Sequence, residues 1–446
     1  MKKAIYLMVF AMGMLIAGSS IMLTGCTKDG PQGLAGKDGT NGTNGQDGAD
    51  GTAGCITCHN PEKVDLVATQ FELSKHSYGE VAFEEAGNTG CTPCHASEAF
   101  KYVCENNIPS TFTLNTTTNK YVNDYSSVAT ATYGDITCST CHSSLHTTFT
   151  SADIPALTTV APVAMTMWGG AKTIDLPADG HIGNLCAKCH QPRPFTKAAD
   201  GNVIDYSLLV SNPTGIFYDV AQAANLNVLK PSYRTGTHYG TAGAIYAGMG
   251  GIEYGTGYTN SPHTTVAACQ DCHMATMSGR SGGHTFYAIG NFNGCNKAGC
   301  HDAAPISATS TKFTTPRAAS KTLLAQLAAK LTINGVEIMS RNSDATSNLW
   351  YGITANNYDG YLNLYDPASN PNGVAMNPTG IFQNPSPASS WTADQKALNL
   401  TFPLLKLTNV QMGAIINFQL CLREYSLGIH NTAYSTTLLT NTIAAL

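Results

Sequence analysis

Charge is scarce in this chain. Asp, Glu, Lys and Arg make up only 12% of its 446 residues, and 24 basic against 29 acidic residues leave a formal charge of −5. No block of Lys or Arg gathers anywhere, which excludes the basic stripe that a nucleic-acid partner needs. Long apolar runs are missing beyond residue 22, so nothing downstream of the N-terminus reads as a membrane span. Sustained periodicity is missing too. From Cys55 to His301 no apolar repeat of helix or strand holds for long, and Gly, Pro, Asn and Asp interrupt short β-like runs at Ser110–Leu114 and Lys120–Val122. Such a stretch is poor material for an ordinary side-chain core.

The N-terminus carries what the rest lacks. Lys2 and Lys3 precede an apolar run from Ala4 to Met22, and Leu23-Thr24-Gly25-Cys26 then matches a bacterial lipobox. Residues 1–25 are therefore expected to be a lipoprotein signal peptide and Cys26 the lipidated residue. An uncleaved membrane helix is the alternative, weakened by the absence of a charged stop-transfer cluster. Thr27, where Asp would favour retention at the inner membrane, points to the outer membrane. Residues 26–54 form a tether in which glycine falls at every third position from Gly30 to Gly54. That is the collagen period, but Pro31 is its only proline, so a flexible spacer and a trimeric stalk both stay open.

Cysteine and histidine are abundant, at 15 and 13 residues. Five complete C-x-x-C-H motifs occur: Cys55/Cys58/His59, Cys91/Cys94/His95, Cys138/Cys141/His142, Cys186/Cys189/His190 and Cys269/Cys272/His273. Chance would supply on the order of 0.01–0.02 in a chain of this composition. The motif is that of covalent haem attachment, in which two thiols add to the vinyl groups and the adjacent His takes the iron. Zinc ribbons also use C-x-x-C pairs, but they do not require a His directly after the second Cys. Cys295/Cys300/His301 has four residues between its cysteines, making it either a damaged motif or a lengthened sixth one.

Histidine arithmetic favours the lengthened site. Seven His stand outside the motifs: His76, His146, His181, His238, His263, His284 and His430. Six haems with His on both faces need six distal ligands, leaving one spare. Without the sixth haem three would have no work. His146 lies too close to His142 to reach over the same porphyrin and is expected on a neighbouring haem. Iron saturated by two His is low-spin and closed to substrate, which suits electron transfer, whereas one open site would permit catalysis. Cys104 and Cys421 are left over, either as a disulfide clamping the C-terminal third or as two separate buried thiols.

After His301 the texture changes. Leu323, Leu324, Leu327 and Leu331 predict a helix over 321–331, Asn334-Gly335 a hairpin turn, and Thr392 with Gln395 a capping box. A Pro/Asn/Gly-rich loop is expected over 366–390, with longer helices over 410–425 and 432–446.

At these residues the chain resembles the extracytoplasmic multihaem c-type cytochromes of metal- and nitrogen-respiring bacteria. The resemblance lies in Asn184-Leu-Cys-Ala-Lys-Cys-His-Gln191, Thr237-His-Tyr-Gly240, Gly248-Met-Gly-Gly-Ile-Glu-Tyr254, Cys272-His-Met274, Gly283-His-Thr-Phe286 and Gly428-Ile-His-Asn431. It implies distal-ligand roles for His238, His284 and His430. The lipobox and collagen-like spacer are similar to those of outer-surface decahaem metal-reductase lipoproteins, although only six sites exist here. The Cys-x-x-Cys-Lys site of pentahaem nitrite reductases is absent from the sequence. Hexahaem cytochromes that polymerise into conducting filaments match in haem number.

Together these readings predict a mostly irregular and α-helical multihaem cytochrome fold organised around stacked haems, with few short strands and a helical C-terminal third. Residues 55–301 are expected to hold six covalently attached haem c groups, and 302–446 to pack on them. The expected function is outer-surface electron transfer to an external acceptor, with redox proteins as partners and a lipid anchor in the membrane. The alternatives are a reductase of a small nitrogen or sulfur oxyanion and a subunit of a conducting polymer, which would make a second copy a partner.

Overall fold

The computed structural model describes residues 60–78, 91–106, 112–115, 120–123, 134–142, 157–168, 171–192, 206–217, 236–333, 336–341, 358–362 and 407–446. All belong to one compact unit, Thr57–Leu446. Cys26, the tether, Cys55, Cys58, His59, His146, the loop over 366–390 and the Thr392 capping box lie outside the described residues.

The N-terminal part is built of short pieces. Helices α1 (Pro61–Glu72), α2 (Lys75–Tyr78), α3 (Thr92–His95) and α4 (Ser97–Glu105) are followed by an antiparallel pair, β1 (Phe112–Asn115) and β2 (Lys120–Asn123). Then come α5 (Cys138–Cys141), the two-residue strands β3 (Val163–Ala164) and β4 (Thr173–Ile174), α6 (Gly183–Cys189), α7 (Leu208–Ser211), α8 (Ala242–Tyr246), α9 (His263–Val266) and α10 (Cys269–His273). A turn with left-handed backbone at Asp179 and Gly180 spans Ala178–His181, and a short 3₁₀ turn spans Gly283–Thr285. The chain then forms α11 (Thr311–Lys330), the hairpin β5 (Thr332–Ile333) with β6 (Val336–Glu337), the antiparallel pair β7 (Met339–Arg341) and β8 (Tyr358–Leu362), α12 (Asn409–Arg423) and α13 (Thr432–Ala445). Helix is the main regular structure, strands are few and short, and the C-terminal region is helical.

The apolar core sits around α12. Met412, Ala414, Ile415, Ile416, Phe418, Leu420 and Cys421 are all buried, so this helix is enclosed on every side and mainly apolar. Thr408 caps it, accepting from the Gln411 N–H at 3.3 Å while Gln411 Oε1 accepts from the Thr408 N–H at 2.9 Å. Leu324, Leu327 and Leu331 from α11 and its end pack on it, as do Tyr434, Leu438 and Leu439 from α13. The α11 helix begins ten residues before its apolar spacing does and carries Pro316 inside. That proline gives up the backbone bond to the Lys312 carbonyl, a cost that a 20-residue helix tolerates. Strands β5 and β6 pair where the sequence predicts a hairpin, with Ile333 opposite Val336.

Three polar side chains inside the core aim the chain that follows residue 236. Gln419 accepts from the Thr237 N–H at 2.9 Å, and Thr241 donates to the Leu420 carbonyl at 2.8 Å. Asn417 answers both backbone groups of Ile252, at 2.7 and 2.8 Å. Buried amides satisfied this fully fix one geometry. Among the described residues no helix is long and apolar enough to cross a membrane.

Cys104 and Cys421 are both free thiols. Cys104 packs with Phe100 and Val103, and Cys421 belongs to the α12 cluster. Of the two possibilities left open by the sequence, separate buried thiols is the one observed.

Candidate metal centres

Three attachment motifs close on themselves through one backbone bond each. The N–H of His95 donates to the Cys91 carbonyl at 3.1 Å, that of His142 to Cys138 at 3.0 Å, and that of His190 to Cys186 at 2.9 Å. One helical turn thus holds the first cysteine and the histidine on the same face. The lengthened motif reaches the same end by another route. The N–H of His301 donates to the Cys295 carbonyl at 3.0 Å, bridging six residues instead of four. The extra residues bulge through Gly299, whose φ of +81° suits glycine and whose missing side chain faces open space. Lys297, within the bulge, pairs with Asp271 of the preceding motif and so ties the two motifs together.

The histidines outside the motifs come back to face those within them. His190 and His76 have ring centroids 6.1 Å apart, His95 and His238 6.3 Å, His301 and His263 6.1 Å, and His273 and His430 6.1 Å. Two imidazoles on opposite sides of one metal ion would stand at about this distance. With a metal–nitrogen bond of about 2.0 Å and a ring radius of about 1.1 Å from bonds of about 1.33 Å, the centroids stand about 6.2 Å apart. Among the described residues no group of three or more His, Cys, Asp or Glu is placed to hold a metal ion by itself. Facing pairs would supply two ligands to a metal carried by a group that brings its remaining donors. Iron in a tetrapyrrole is such a group, and cysteines beside each pair suit its covalent attachment.

His142 and His284 are also neighbours: burial lowers the pKa of His284, and His142 lowers it further. His284 is aimed by α1, where Gln70 accepts from its N–H at 3.0 Å. The adjoining Gly283 has a φ of +53°, and a Cβ there would lie 2.2 Å from Gln70 Oε1, so only glycine allows this approach. His181 stands apart from these pairs. It is partly exposed, and its Nδ1 meets Asp175 at 2.6 Å. Asp175 is held below the usual carboxylate range first by the Asn184 amide, which is buried.

Burial disfavours the charged form of four of these rings, those of His76, His190, His263 and His273. Burial, then His273, lowers His76 to about 4. Burial lowers His190 to about 3, with further contributions from His76, His273, His430 and His95. Neutral imidazole is the form that offers a lone pair to a metal. Burial, with neighbouring histidines, also lowers His263 and His273.

The same interactions give a spatial order. The Cys189 thiol is pushed well up, first by its hydrogen bond with Cys94, and Cys186 likewise by Cys269. Burial, then Cys186, pushes Cys141 up to about 11, and burial, then Cys295, does the same to Cys272. The motif ending at His190 therefore lies between those ending at His95 and His273, with His142 beside it and His301 beyond His273.

The pairings themselves carried no local sequence signal, since His76 and His190 are separated by more than a hundred residues. A further residue was missed altogether: Glu424, buried against His430 Nδ1 at 2.5 Å. No family model, curated protein or solved structure matches the chain.

Proposed function

We propose that this chain is a multihaem c-type cytochrome that moves electrons through low-spin, bis-His haems, organised as a fold around stacked haems. The observation that carries the reading is the facing of His76, His238, His263 and His430 with the motif histidines at 6.1–6.3 Å. Cysteine pairs directly before the motif histidines support covalent attachment at Cys91/Cys94, Cys186/Cys189, Cys269/Cys272 and, with a longer spacing, Cys295/Cys300, and the neighbouring His142 and His284 support it at Cys138/Cys141. The motif at Cys55/Cys58 gives the sixth haem, for which His146 and His181 are the two unassigned distal candidates.

Iron closed on both faces leaves no room for a substrate, so the role is conduction and not bond-making. With a lipidated Cys26 and the glycine-repeat tether, the protein works at the outer surface of the outer membrane. It takes electrons from redox proteins there and passes them to an external acceptor.

Mass spectrometry and the visible spectrum test this. The mature chain should carry six covalent haems, all low-spin. His76→Ala should keep all six but turn one high-spin, because it removes a distal ligand and leaves attachment untouched. A purified chain without covalent haem, or with every haem high-spin, would refute the proposal.

A further inference from the structure

A carboxylate taken into a protein interior is costly unless donors surround it. Glu424 follows directly on α12, and its side chain is fully buried. Three donors meet it: the Gly428 N–H at 2.8 Å on Oε1, and on Oε2 the Ser426 hydroxyl at 2.6 Å and His430 Nδ1–H at 2.5 Å. The Ser426 oxygen in turn accepts from the His430 N–H at 3.0 Å. Burial alone would raise the Glu424 pKa, but these donors outweigh it and leave the carboxyl below its ordinary value. Arg317, with its guanidinium 4.8 Å over the Phe313 ring, also feels the Glu424 charge. The turn that makes this arrangement is strained: Tyr425 and Leu427 have φ of 64° and 58°, a region that non-glycine residues rarely occupy.

The other ring of the pair is held differently. His273 Nδ1–H donates to the Phe286 carbonyl at 2.8 Å, a neutral acceptor. His430 therefore differs from its partner in having an ionised acceptor, and charge-assisted bonds are roughly twice as strong as neutral ones. A carboxylate drawing on Nδ1–H enriches the ring in electrons and raises the basicity of the nitrogen that faces the metal. A more basic axial ligand favours the higher oxidation state.

We propose that Glu424 sets the reduction potential of the His273/His430 site, holding the iron there toward its ferric form. This rests on the haem reading given above. The site adjoins those ending at His190 and His301, so the row contains a step that electrons cross without resting on it.

Potentiometric titration of the purified full-length holoprotein tests this, with covalent haem content and the low-spin spectrum recorded in parallel. Glu424→Gln keeps the shape and removes the charge. It should shift one component toward the ferrous form by on the order of tenfold, about 59 mV for a one-electron couple, and leave the other components in place. Ser426→Ala removes a donor that competes for Oε2, leaving more of the carboxylate to His430. It should move the same component the opposite way.

Opposite shifts in one component carry the proposal. A Glu424→Gln holoprotein with all haems attached and low-spin but an unchanged titration would overturn it, as would shifts of one sign in both variants. If the Gln variant does not fold, Ser426→Ala decides alone: a shift toward ferric supports the assignment and no shift refutes it. A wild-type chain with no covalent haem would instead refute the underlying function.

Discussion

His190 and His76 are two bases placed where protons are unwelcome. Their pKa values fall from 6.5 to about 3 and about 4, chiefly through burial. The sign of the stability effect follows. Below pH 6.5 the unfolded chain takes up protons at both residues while the folded chain refuses them. Stability is therefore complete above 6.5 and declines as pH falls, at about 1.4 kcal/mol per pH unit for each histidine. For His76 the decline ends near pH 4 and for His190 near pH 3. Iron bound to the same nitrogens, as proposed, would act in the same direction, because the folded state would then exclude the proton more firmly. Urea midpoints measured downward from about pH 7 should fall on the acid side and be flat above it. His76→Ala, losing one of the two groups, should show a shallower slope; an equal slope in both proteins would exclude this source of acid sensitivity.

At the scale of elements, the motif helices are positioned by very close backbone approaches. Helix α8 lies on α6 through Gly243, whose N–H donates to the His190 carbonyl at 2.9 Å. A Cβ at Gly243 would stand 2.7 Å from that carbonyl oxygen and 2.9 Å from the Ala187 Cβ. Both neighbours are part of α6 or its end, so neither can yield without moving Cys186, Cys189 and His190. Gly243→Ala should cost about 1–3 kcal/mol, the range for overpacking a filled interior. It should also perturb the spectrum of one haem, and a variant with wild-type melting temperature and spectrum would show that the approach is not needed. Nothing in the sequence marks this glycine, because its partner is more than fifty residues away. Legibility followed locality throughout. Helices α12 and α13 could be read within a residue or two from apolar content, and the hairpin from Asn334-Gly335. Thr311 to Thr315 carries little apolar signal ahead of Pro316, so the early start of α11 was not legible. Motif spacing is the whole basis for proposing the attachment cysteines, whereas tertiary packing decides which distant histidine faces which motif. Glu424 was invisible for the same reason: a buried acid reads like any surface glutamate until its surroundings exist.

For the whole molecule, the order of sites in space is not their order in the chain. The site ending at His190 is flanked by those ending at His95 and His273, as the thiol contacts of Cys189 with Cys94 and of Cys186 with Cys269 require. The site ending at His142 branches beside it through Cys141, while that ending at His301 follows His273 through the Asp271–Lys297 pair. Electron transfer falls off exponentially with the gap to be crossed, so an interior site and an edge site have unequal weight. Two variants separate them. Cys186→Ser with Cys189→Ser removes an interior site, and Cys295→Ser with Cys300→Ser removes one at the edge. Each should lack one haem by mass. After reduction of the protein and rapid mixing with an external oxidant, the edge variant should reoxidise its remaining haems nearly as one population. The interior variant should split into a fast and a slow population, because the haem held by Cys91 and Cys94 is cut off from the one held by Cys269 and Cys272. Identical single-phase traces from the two variants would mean that electrons do not need the site between those flanks, and the row would have to be redrawn.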